Sequence, residues 1–276
     1  MKNTSILIVF LLSFSFHISA QDNETRKAAM DMEQSRRDMR DKMNNIFAKY
    51  GKDSAMSYRQ AQQTIEAENR AQERLKQYAT IEQTDEVTEL DLSNCKLTEV
   101  PILVYWFRNL EKLNLSNNQI SRLPKKLKEL DKLQYIDLSS NGLNKAKLKT
   151  VKLKGVKSFN LSSNDLVKLP RTVKKIKNLT TLTLTHNQFT TIPKNVRKIK
   201  SLKKLEINHN NLVSFGEHFK YIAKLNALES IWAGNSNITS IPDQIVLLLN
   251  LKKLYLQENK VAYVSPEIGK LAQLEE

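Results

Sequence analysis

The sequence predicts an α/β repeat solenoid, in which short strands form a curved arc with a concave parallel sheet, preceded by an α-helical segment. Two observations predict this fold. Residues 87–276 repeat with a period of about 23 residues, and each repeat places apolar residues at the same positions and a polar residue, most often Asn, at one further position. Units that cannot bury an apolar face alone bury it by stacking, so a repeat of this length indicates a solenoid.

Residues 1–20 have the pattern of a secretory signal peptide. Lys2 is followed by an apolar run from Ile6 to Phe16 and then by the small residues Ser19 and Ala20. This order is typical of a cleaved signal, and the run is shorter than the ~18 apolar residues of a membrane span. We expect cleavage near Ala20 and a secreted, periplasmic or cell-surface protein. An uncleaved amino-terminal anchor is the alternative.

Residues 21–86 contain no repeat and predict a helical segment. Apolar side chains follow helical spacing at Met32, Met39, Met43, Ile46 and Tyr50, which predicts an amphipathic helix. Gly51 can end that helix, and Asp53 or Ser54 can begin a second one. The favoured role is a cap, because the end of a solenoid exposes an unpaired strand edge. Self-association through a coiled coil and a flexible stalk are the alternatives.

The repeats form eight complete units and the start of a ninth over 87–276. All units have the same length except the sixth, which is three residues longer, and they begin at Val87, Leu110, Leu133, Val156, Leu179, Leu202, Leu228 and Leu251. Unit positions 1, 4, 6, 11, 14, 18 and 21 are apolar at 55 of 56 places, Thr150 being the exception. Because side chains alternate along a strand, the residues at positions 4 and 6 are predicted to point into the core.

Position 9 of each unit carries a second signature. Its members are Cys95, Asn118, Asn141, Asn164, Asn187, Asn210, Ser236 and Asn259. We predict that these side chains turn inward and bond backbone groups that the bending chain leaves open. Cys95 is therefore assigned a structural role and not that of a catalytic thiol.

The pattern LxxLxLxxN/CxL resembles the leucine-rich repeat family over residues 87–276. Four units also carry Leu-Pro or Ile-Pro at positions 14 and 15, as in the 23-residue subclass of that family: Leu123-Pro124, Leu169-Pro170, Ile192-Pro193 and Ile241-Pro242. The resemblance implies the same arc with a concave parallel sheet, and it implies a protein partner most often.

The return half of each unit is predicted to form turns or short helical pieces on the convex side. Proline at position 15 is expected to end strand pairing, because it lacks an amide hydrogen. The third unit, with Lys147 and Thr150, predicts a distorted return segment, whereas the three extra residues of the sixth predict a regular helix. The sheet itself is expected to run without interruption.

The carboxyl end begins a ninth unit at Leu274-Glu275-Glu276. Either the last strand edge is exposed, in which case it invites self-association with another chain, or the sequence is a structural fragment of a longer solenoid.

The concave face, made of positions 3, 5 and 7, is the predicted site of recognition. Trp232 and Tyr255 occupy position 5 of neighbouring units, and exposed aromatics beside charges are typical of binding hot spots. The alternative is that they cover a poorly capped end of the sheet. The candidate binding residues are Trp232, Tyr255, Lys204, Glu206, Lys253, Tyr135 and Asp137.

Charge is concentrated in one stretch of the chain. The formal net charge is +15, and residues 144–204 hold 17 Lys or Arg with one acid. The basic band that we predict on the flank and convex side contains Lys154, Lys174, Lys175, Lys177, Arg197, Lys198 and Lys200. Such a band suits anionic polymers (lipopolysaccharide, nucleic acid or acidic glycans) or a membrane surface. The alternative is that solvated lysines keep the solenoid soluble.

Other chemistry finds little support. One Cys excludes an intramolecular disulfide framework, and His186 with His209, which share position 8, lack the carboxylate or thiolate that a metal site needs. Lysine predominates in the basic band and no aromatic interleaves it, so specific nucleic acid recognition is not expected. We expect no enzyme, no cofactor and no metal. The leading function is an exported, non-enzymatic module that binds a protein partner through its concave face, and an electrostatic binder is the rival.

Overall fold

The computed structural model of the chain describes residues 86–143, 153–170 and 173–276, together with positions 63, 66, 67, 70, 71 and 74. The predicted signal peptide, most of the predicted helical segment and the predicted distorted return of the third unit lie outside the described residues.

Each unit contributes one strand of three residues, at its positions 3–5, to the main sheet. These strands are β1 (Glu89–Asp91), β2 (Lys112–Asn114), β3 (Tyr135–Asp137), β4 (Ser158–Asn160), β5 (Thr181–Thr183), β6 (Lys204–Glu206), β7 (Ser230–Trp232) and β9 (Lys253–Tyr255). In the first seven units the central residue is buried and its neighbours are not. Alternation along the strand therefore fixes which side chains enter the core and which face solvent.

The eight strands form one parallel sheet in chain order. Leu113 pairs with Leu90 on one side and with Ile136 on the other, so equivalent positions of successive units are aligned. A second sheet pairs β8 (Ser240–Ile241) with β10 (Tyr263–Val264), also in parallel. The predicted solenoid and its uninterrupted sheet are confirmed.

The residues at position 9 hold successive units together by hydrogen bonds. Asn187 Nδ2 donates to the carbonyl oxygens of Leu161, Leu184 and Thr185 at 2.9–3.1 Å. Its Oδ1 accepts from the backbone N–H groups of Asn164 and Leu166 at 3.2 and 2.8 Å. The side chain thus satisfies five backbone groups, three of them in the preceding unit.

Cys95 and Ser236 occupy the same position with fewer bonds. Cys95 Sγ donates to the Ser93 carbonyl at 3.4 Å, and Ser236 Oγ donates to the Gly234 carbonyl at 2.9 Å. Burial raises the pKa of the Cys95 thiol above its ordinary value, so this side chain behaves as a neutral filler of the core.

A left-handed residue at position 8 turns the chain before each of these side chains. All eight members have φ between 48° and 58°: Asn94, Asn117, Ser140, Ser163, His186, His209, Asn235 and Glu258. Asn and His tolerate this region better than most residues. The recurrence of short polar residues and His at position 8 therefore has a local backbone cause.

The return segments are mainly 3-10 helices, as the sequence predicts. They span Ile102–Trp106, Lys125–Glu129, Val173–Lys175, Lys194–Lys198, Phe215–His218, Asp243–Leu247 and Pro266–Lys270. The prediction that proline ends strand pairing holds for β8, which ends at Ile241 directly before Pro242. It does not hold for the main sheet, because those strands end at position 5 and the chain turns at position 8. Proline instead precedes the helical turn: the Pro124 carbonyl accepts from the Leu127 N–H at 3.2 Å.

The three extra residues of the sixth unit extend its return segment into helix α1 (Phe219–Ile222), the regular helix that the sequence predicts. Phe219 and Ile222 are buried, and the Phe219 ring meets the Phe215 ring edge-on with centroids 4.9 Å apart. The longer return is therefore anchored in the core.

The turn before α1 packs tightly on the next unit through Gly216. A β-carbon at Gly216 would lie 2.1 Å from Cγ of Pro242. We expect Gly216→Ala to lower the free energy of unfolding by about 1–3 kcal/mol, because the rigid ring must be displaced. Chemical denaturation measures this. Gly269→Ala, which meets nothing within 4 Å, is the control, and adding Pro242→Ala should recover the loss. Equal costs for Gly216→Ala and Gly269→Ala would contradict the prediction.

The described positions before the repeats contact the first unit. All six are helical, Ala67 and Ala71 are buried in the same core as the repeats, and Arg74 Nη1 lies 3.3 Å from the Asp91 carboxylate. These contacts favour the capping role, while the helical segment as a whole stays a prediction.

The last described residues continue the register of the sheet. The N–H groups of Glu275 and Glu276 both donate to the Lys252 carbonyl, at 2.8 and 3.2 Å, and the Leu254 N–H donates to the Glu276 carbonyl at 2.6 Å. Glu111 and Lys112 bond the Thr88 carbonyl in the same way. The backbone of Glu275 and Glu276 therefore follows the register of a ninth unit, as the sequence predicts.

Candidate binding surface

Side chains at positions 3, 5 and 7 project from the sheet on the side away from the core. We call this surface the outer sheet face. It divides into two chemically different halves, one formed by units one to four and the other by units five to eight.

In units one to four, position 5 serves the backbone of its own unit. Each Asp or Asn accepts a hydrogen bond from the N–H of position 7 at 2.8–3.0 Å: Asp91 from Ser93, Asn114 from Ser116, Asp137 from Ser139 and Asn160 from Ser162. An Asp or Asn that bonds the N–H two residues on is an Asx turn. This polar row is therefore chiefly a structural device, which lowers its weight as a recognition surface.

Asp137 and Tyr135, two of the predicted binding residues, are engaged with each other. Both carboxylate oxygens of Asp137 accept hydrogen bonds, Oδ1 from the N–H and hydroxyl of Ser139 and Oδ2 from the Tyr135 hydroxyl at 2.9 Å and Asn160 Nδ2 at 2.8 Å. Burial and the neighbouring Asp137 carboxylate raise the pKa of Tyr135 to about 12. Three strand spacings, ~14 Å, separate Asp137 from Glu206, so the structure does not bring these two residues to the other predicted ones.

Asp91 in the first unit is occupied as well. Burial alone would raise its pKa, but hydrogen bonds from Ser93 and the Arg74 cation outweigh burial and hold the pKa below its ordinary value. The first unit of the outer sheet face thus faces the preceding segment through Arg74.

In units five to eight, position 5 carries Thr183, Glu206, Trp232 and Tyr255, none of which makes an Asx turn. The sheet here presents instead an aromatic cluster, defined as Lys204, Glu206, Trp232, Lys253 and Tyr255. These five members of the predicted site are brought together on three adjacent strands, β6, β7 and β9.

Two aromatic rings and one cation form the centre of the aromatic cluster. The rings of Trp232 and Tyr255 lie with centroids 4.3 Å apart and planes tilted by 49°. Lys204 Nζ lies 4.2 Å from the Trp232 ring centre and 2.6 Å from Glu206 Oε1. Trp232 Nε1 donates to Ser230 Oγ at 2.7 Å. Because the Lys204 ammonium group lies over the ring and the indole N–H is hydrogen-bonded, Trp232 is held in one orientation. Its ring stays half-exposed.

Glu276 joins the aromatic cluster, although sequence reasoning missed it. Its carboxylate lies 2.8 Å from Lys253 Nζ and accepts from the Tyr255 hydroxyl at 2.5 Å. The hydrogen bond to Glu276 raises the pKa of Lys253 and of Tyr255, and the bond from Lys253 lowers the pKa of Glu276. The signal was present in the sequence, since Glu276 follows Lys253 by one full repeat length and so occupies position 3 of the ninth unit.

The basic band lies on the return segments, away from the outer sheet face. Lys174, Lys175, Arg197 and Lys198 belong to 3-10 helices, and Lys154, Lys177 and Lys200 are exposed just before their next strands. Arg197 lies over the Tyr221 ring with its guanidinium carbon 5.6 Å from the ring centre. The band and the aromatic cluster are separate surfaces.

His186 and His209 stack on each other just beyond the carboxyl ends of β5 and β6. Their ring centroids are 4.1 Å apart and the planes differ by 7°, as expected for equivalent residues of adjacent units. Among the described residues, no group of three His, Cys, Asp or Glu side chains is placed to hold a metal ion. None of the described helices is long and apolar enough to cross a bilayer.

Comparisons with known proteins match both the sequence and the fold. Residues 85–143 match one leucine-rich repeat family model, and residues 178–199 match a second. No curated protein sequence matches the chain. Among solved structures, a leucine-rich repeat protein of Leptospira interrogans is 27% identical over 70% of this chain, with a TM-score of 0.54. This chain covers 55% of that protein, a little over half its length.

Two further structures share the fold at lower identity. Internalin C2 of Listeria monocytogenes is 23% identical over 75% of this chain and 91% of its own, with a TM-score of 0.58. The Toll–Spätzle complex of Drosophila gives 20% identity over 70% of this chain and 26% of that one, with a TM-score of 0.56. The repeats, the position 9 residues and the parallel sheet agree with these matches, which identify the repeats of this chain as leucine-rich repeats.

Proposed function

We propose that this protein is an exported, non-enzymatic recognition module that binds a protein partner through units five to eight of its outer sheet face. The presence of leucine-rich repeats supports the role of a protein-interaction module. The observation that carries the choice of surface is the aromatic cluster, in which Trp232 and Tyr255 are half-buried, fixed by neighbours and accompanied by both signs of charge.

The chemistry of the aromatic cluster suits a protein surface. Trp, Tyr and charged neighbours at the centre of an interface supply most of its binding energy, because large rigid rings bury area at a low entropic cost. Two polar neighbours are tied to the same strands: the Thr183 hydroxyl donates to Glu206 at 3.3 Å, and Asn208 Oδ1 accepts from the Gly234 N–H at 2.8 Å. Units one to four add a rim whose polar groups are already satisfied internally and therefore lose little on burial.

The test is capture of a partner from the native extracellular or periplasmic fraction, with the full chain as bait. Trp232→Ala combined with Tyr255→Ala is expected to weaken capture at least about 30-fold, since one hot-spot truncation alone costs about 2 kcal/mol or more and two such losses are not simply additive. Tyr263→Ala is the matched control, because Tyr263 is 52% exposed but lies outside the main sheet. Capture of the same partner by the double variant and by Tyr263→Ala at equal strength would overturn this choice of surface.

Export is part of the proposal and has its own test. Lys2, the apolar run from Ile6 to Phe16 and the small residues at Ser19 and Ala20 support a cleaved signal. Mass spectrometry of the mature chain is expected to find an amino terminus near Gln21. A mature chain that retains the segment 1–20 would contradict cleavage.

A further inference from the structure

Most of the described return segments share one local pattern, in which a buried residue lies between two others that face solvent. In three of them the two solvent-facing residues are of one type: Lys175-Ile176-Lys177, Lys198-Ile199-Lys200 and Leu247-Leu248-Leu249. The central residues belong to the core and fix the register of their neighbours. Leu247 is 42% and Leu249 66% exposed, so the third segment presents leucines where the first two present lysines.

These segments lie side by side on one surface. The 3-10 helix Val173–Lys175 contacts Lys194–Lys198, and helix α1 packs between Lys194–Lys198 and Asp243–Leu247. The surface therefore runs from lysines, past α1, to exposed leucines. We call the residues Lys175, Lys177, Lys198, Lys200, Leu247 and Leu249 the return-side array.

The lysines of the return-side array are electrostatically uncompensated. In the described part of this region, carboxylates pair with Lys203 and Lys204, and no described carboxylate forms an ion pair with any lysine of the array. Lys200 Nζ donates to the Lys224 carbonyl at 2.9 Å, which satisfies a hydrogen bond but leaves its charge open. Arg197 and Lys220 both lie over the ring of Tyr221, a residue of α1, so the positive field extends across this helix.

Packing of the eighth unit does not cover Leu247 and Leu249. The 3-10 helix Asp243–Leu247 already packs against Pro266–Lys270 of the eighth unit, yet Leu247 and Leu249 stay exposed. Leu247 also lines an open cleft of about 520 Å³ together with Tyr263, Pro266 and two acids, Asp243 and Glu267. Both acids have partners, since Asp243 accepts from the Ser265 hydroxyl and Glu267 pairs with Lys270. Exposed leucines on one side of α1 and unpaired lysines on the other form an amphipathic surface.

We propose that the return-side array is a peripheral binding site for an anionic lipid bilayer. Lysines attract acidic headgroups without a fixed geometry, and exposed leucines gain by entering the acyl boundary, so both parts of the array contribute to one target. A soluble polyanion such as nucleic acid would use the lysines alone, and the ring of Tyr221 is occupied by Arg197 and Lys220. The leucines therefore favour the bilayer over a free polymer.

Vesicle flotation with the full chain tests the proposal. We expect binding to vesicles made of two parts phosphatidylcholine and one part phosphatidylglycerol, and little binding to phosphatidylcholine alone. Each lysine near an anionic surface is worth about a five-fold gain. Replacing Lys175, Lys177, Lys198 and Lys200 by Ser should therefore abolish flotation, and Leu247→Ser with Leu249→Ser should lower partitioning about ten-fold.

Matched controls separate the array from general charge and from folding. Lys125, Lys126, Lys128 and Lys132, all changed to Ser, remove the same charge from the second unit, and Val167→Ser with Val213→Ser removes equally exposed apolar side chains elsewhere. Both controls should float like the wild type, and circular dichroism should show that every variant is folded. Absent flotation would overturn the proposal. An equal loss of flotation in the array variants and in the control variants would also overturn it. The same holds if Leu247→Ser with Leu249→Ser leaves binding to both heparin and vesicles unchanged.

Discussion

Asn187→Ala is expected to lower the free energy of unfolding by about 3–5 kcal/mol. The change leaves the carbonyls of Leu161, Leu184 and Thr185 and the N–H groups of Asn164 and Leu166 without the partners that Asn187 gives them. The three carbonyls each keep a second donor, from Asn164 Nδ2, Asn210 Nδ2 and the Ser163 N–H, whereas the two N–H groups lose their described partner. Each buried group left unpaired costs about 1–3 kcal/mol, and the weakened bonding of the carbonyls adds to this. Urea denaturation followed by far-ultraviolet circular dichroism measures the loss.

The matched control is Asn178→Ala. Asn178 is exposed and makes one hydrogen bond, Nδ2 to the Lys154 carbonyl at 2.8 Å, so its loss should cost less than about 1 kcal/mol. Asn187→Ser should fall between the two, because Ser236 at the same unit position keeps one inward bond to a carbonyl. If Asn187→Ala and Asn178→Ala cost the same, the position 9 residues do not carry the stability assigned to them.

Much of this fold could be predicted because the repeat makes every local rule visible several times. The LxL alternation fixes which side chains are buried, and an inward Asn is the side chain that can both donate to carbonyls and accept from N–H groups. Both rules act within one unit and its neighbour. The in-register pairing of Leu90, Leu113 and Ile136 therefore follows from the sequence alone.

The division of the outer sheet face was present in the sequence but was not recognised there. Asp or Asn at position 5 with Ser at position 7 recurs in units one to four, and this is the spacing of an Asx turn. Glu206, Trp232 and Tyr255 at position 5 break the pattern where the aromatic cluster begins. Where position 5 no longer forms an Asx turn, its side chains are available for contacts with a partner.

The side-chain arrangement of the aromatic cluster could not be predicted. Lys204 pairs with Glu206 of its own strand and lies over Trp232 of the next, which depends on rotamers and not on register. The return-side array was missed for a different reason. Basic residues were grouped by charge, whereas the relation of Leu247 and Leu249 to the lysines appears only when segments are aligned on their buried residue.

Phe219→Ala is expected to have an effect of similar size to that of Asn187→Ala, about 3–5 kcal/mol, the usual cost of deleting a buried phenyl ring. Phe219 is fully buried and meets Phe215 edge-on, and it anchors α1 between two 3-10 helices. For a domain of this size, the loss corresponds to a fall in melting temperature of about 6–20 °C. Differential scanning calorimetry measures it.

We also expect Phe219→Ala to unfold in more than one transition. Each unit of a solenoid is stabilised by its neighbours alone, so a cavity in the sixth unit weakens the coupling of units seven and eight to the rest. Hydrogen exchange in Phe219→Ala should then accelerate at Ile231 and Leu251 more than at Leu113. Phe219→Leu keeps most of the volume and should cost less than half as much. Uniform acceleration along all units would show that the sheet unfolds as one cooperative block and that α1 is not the joint.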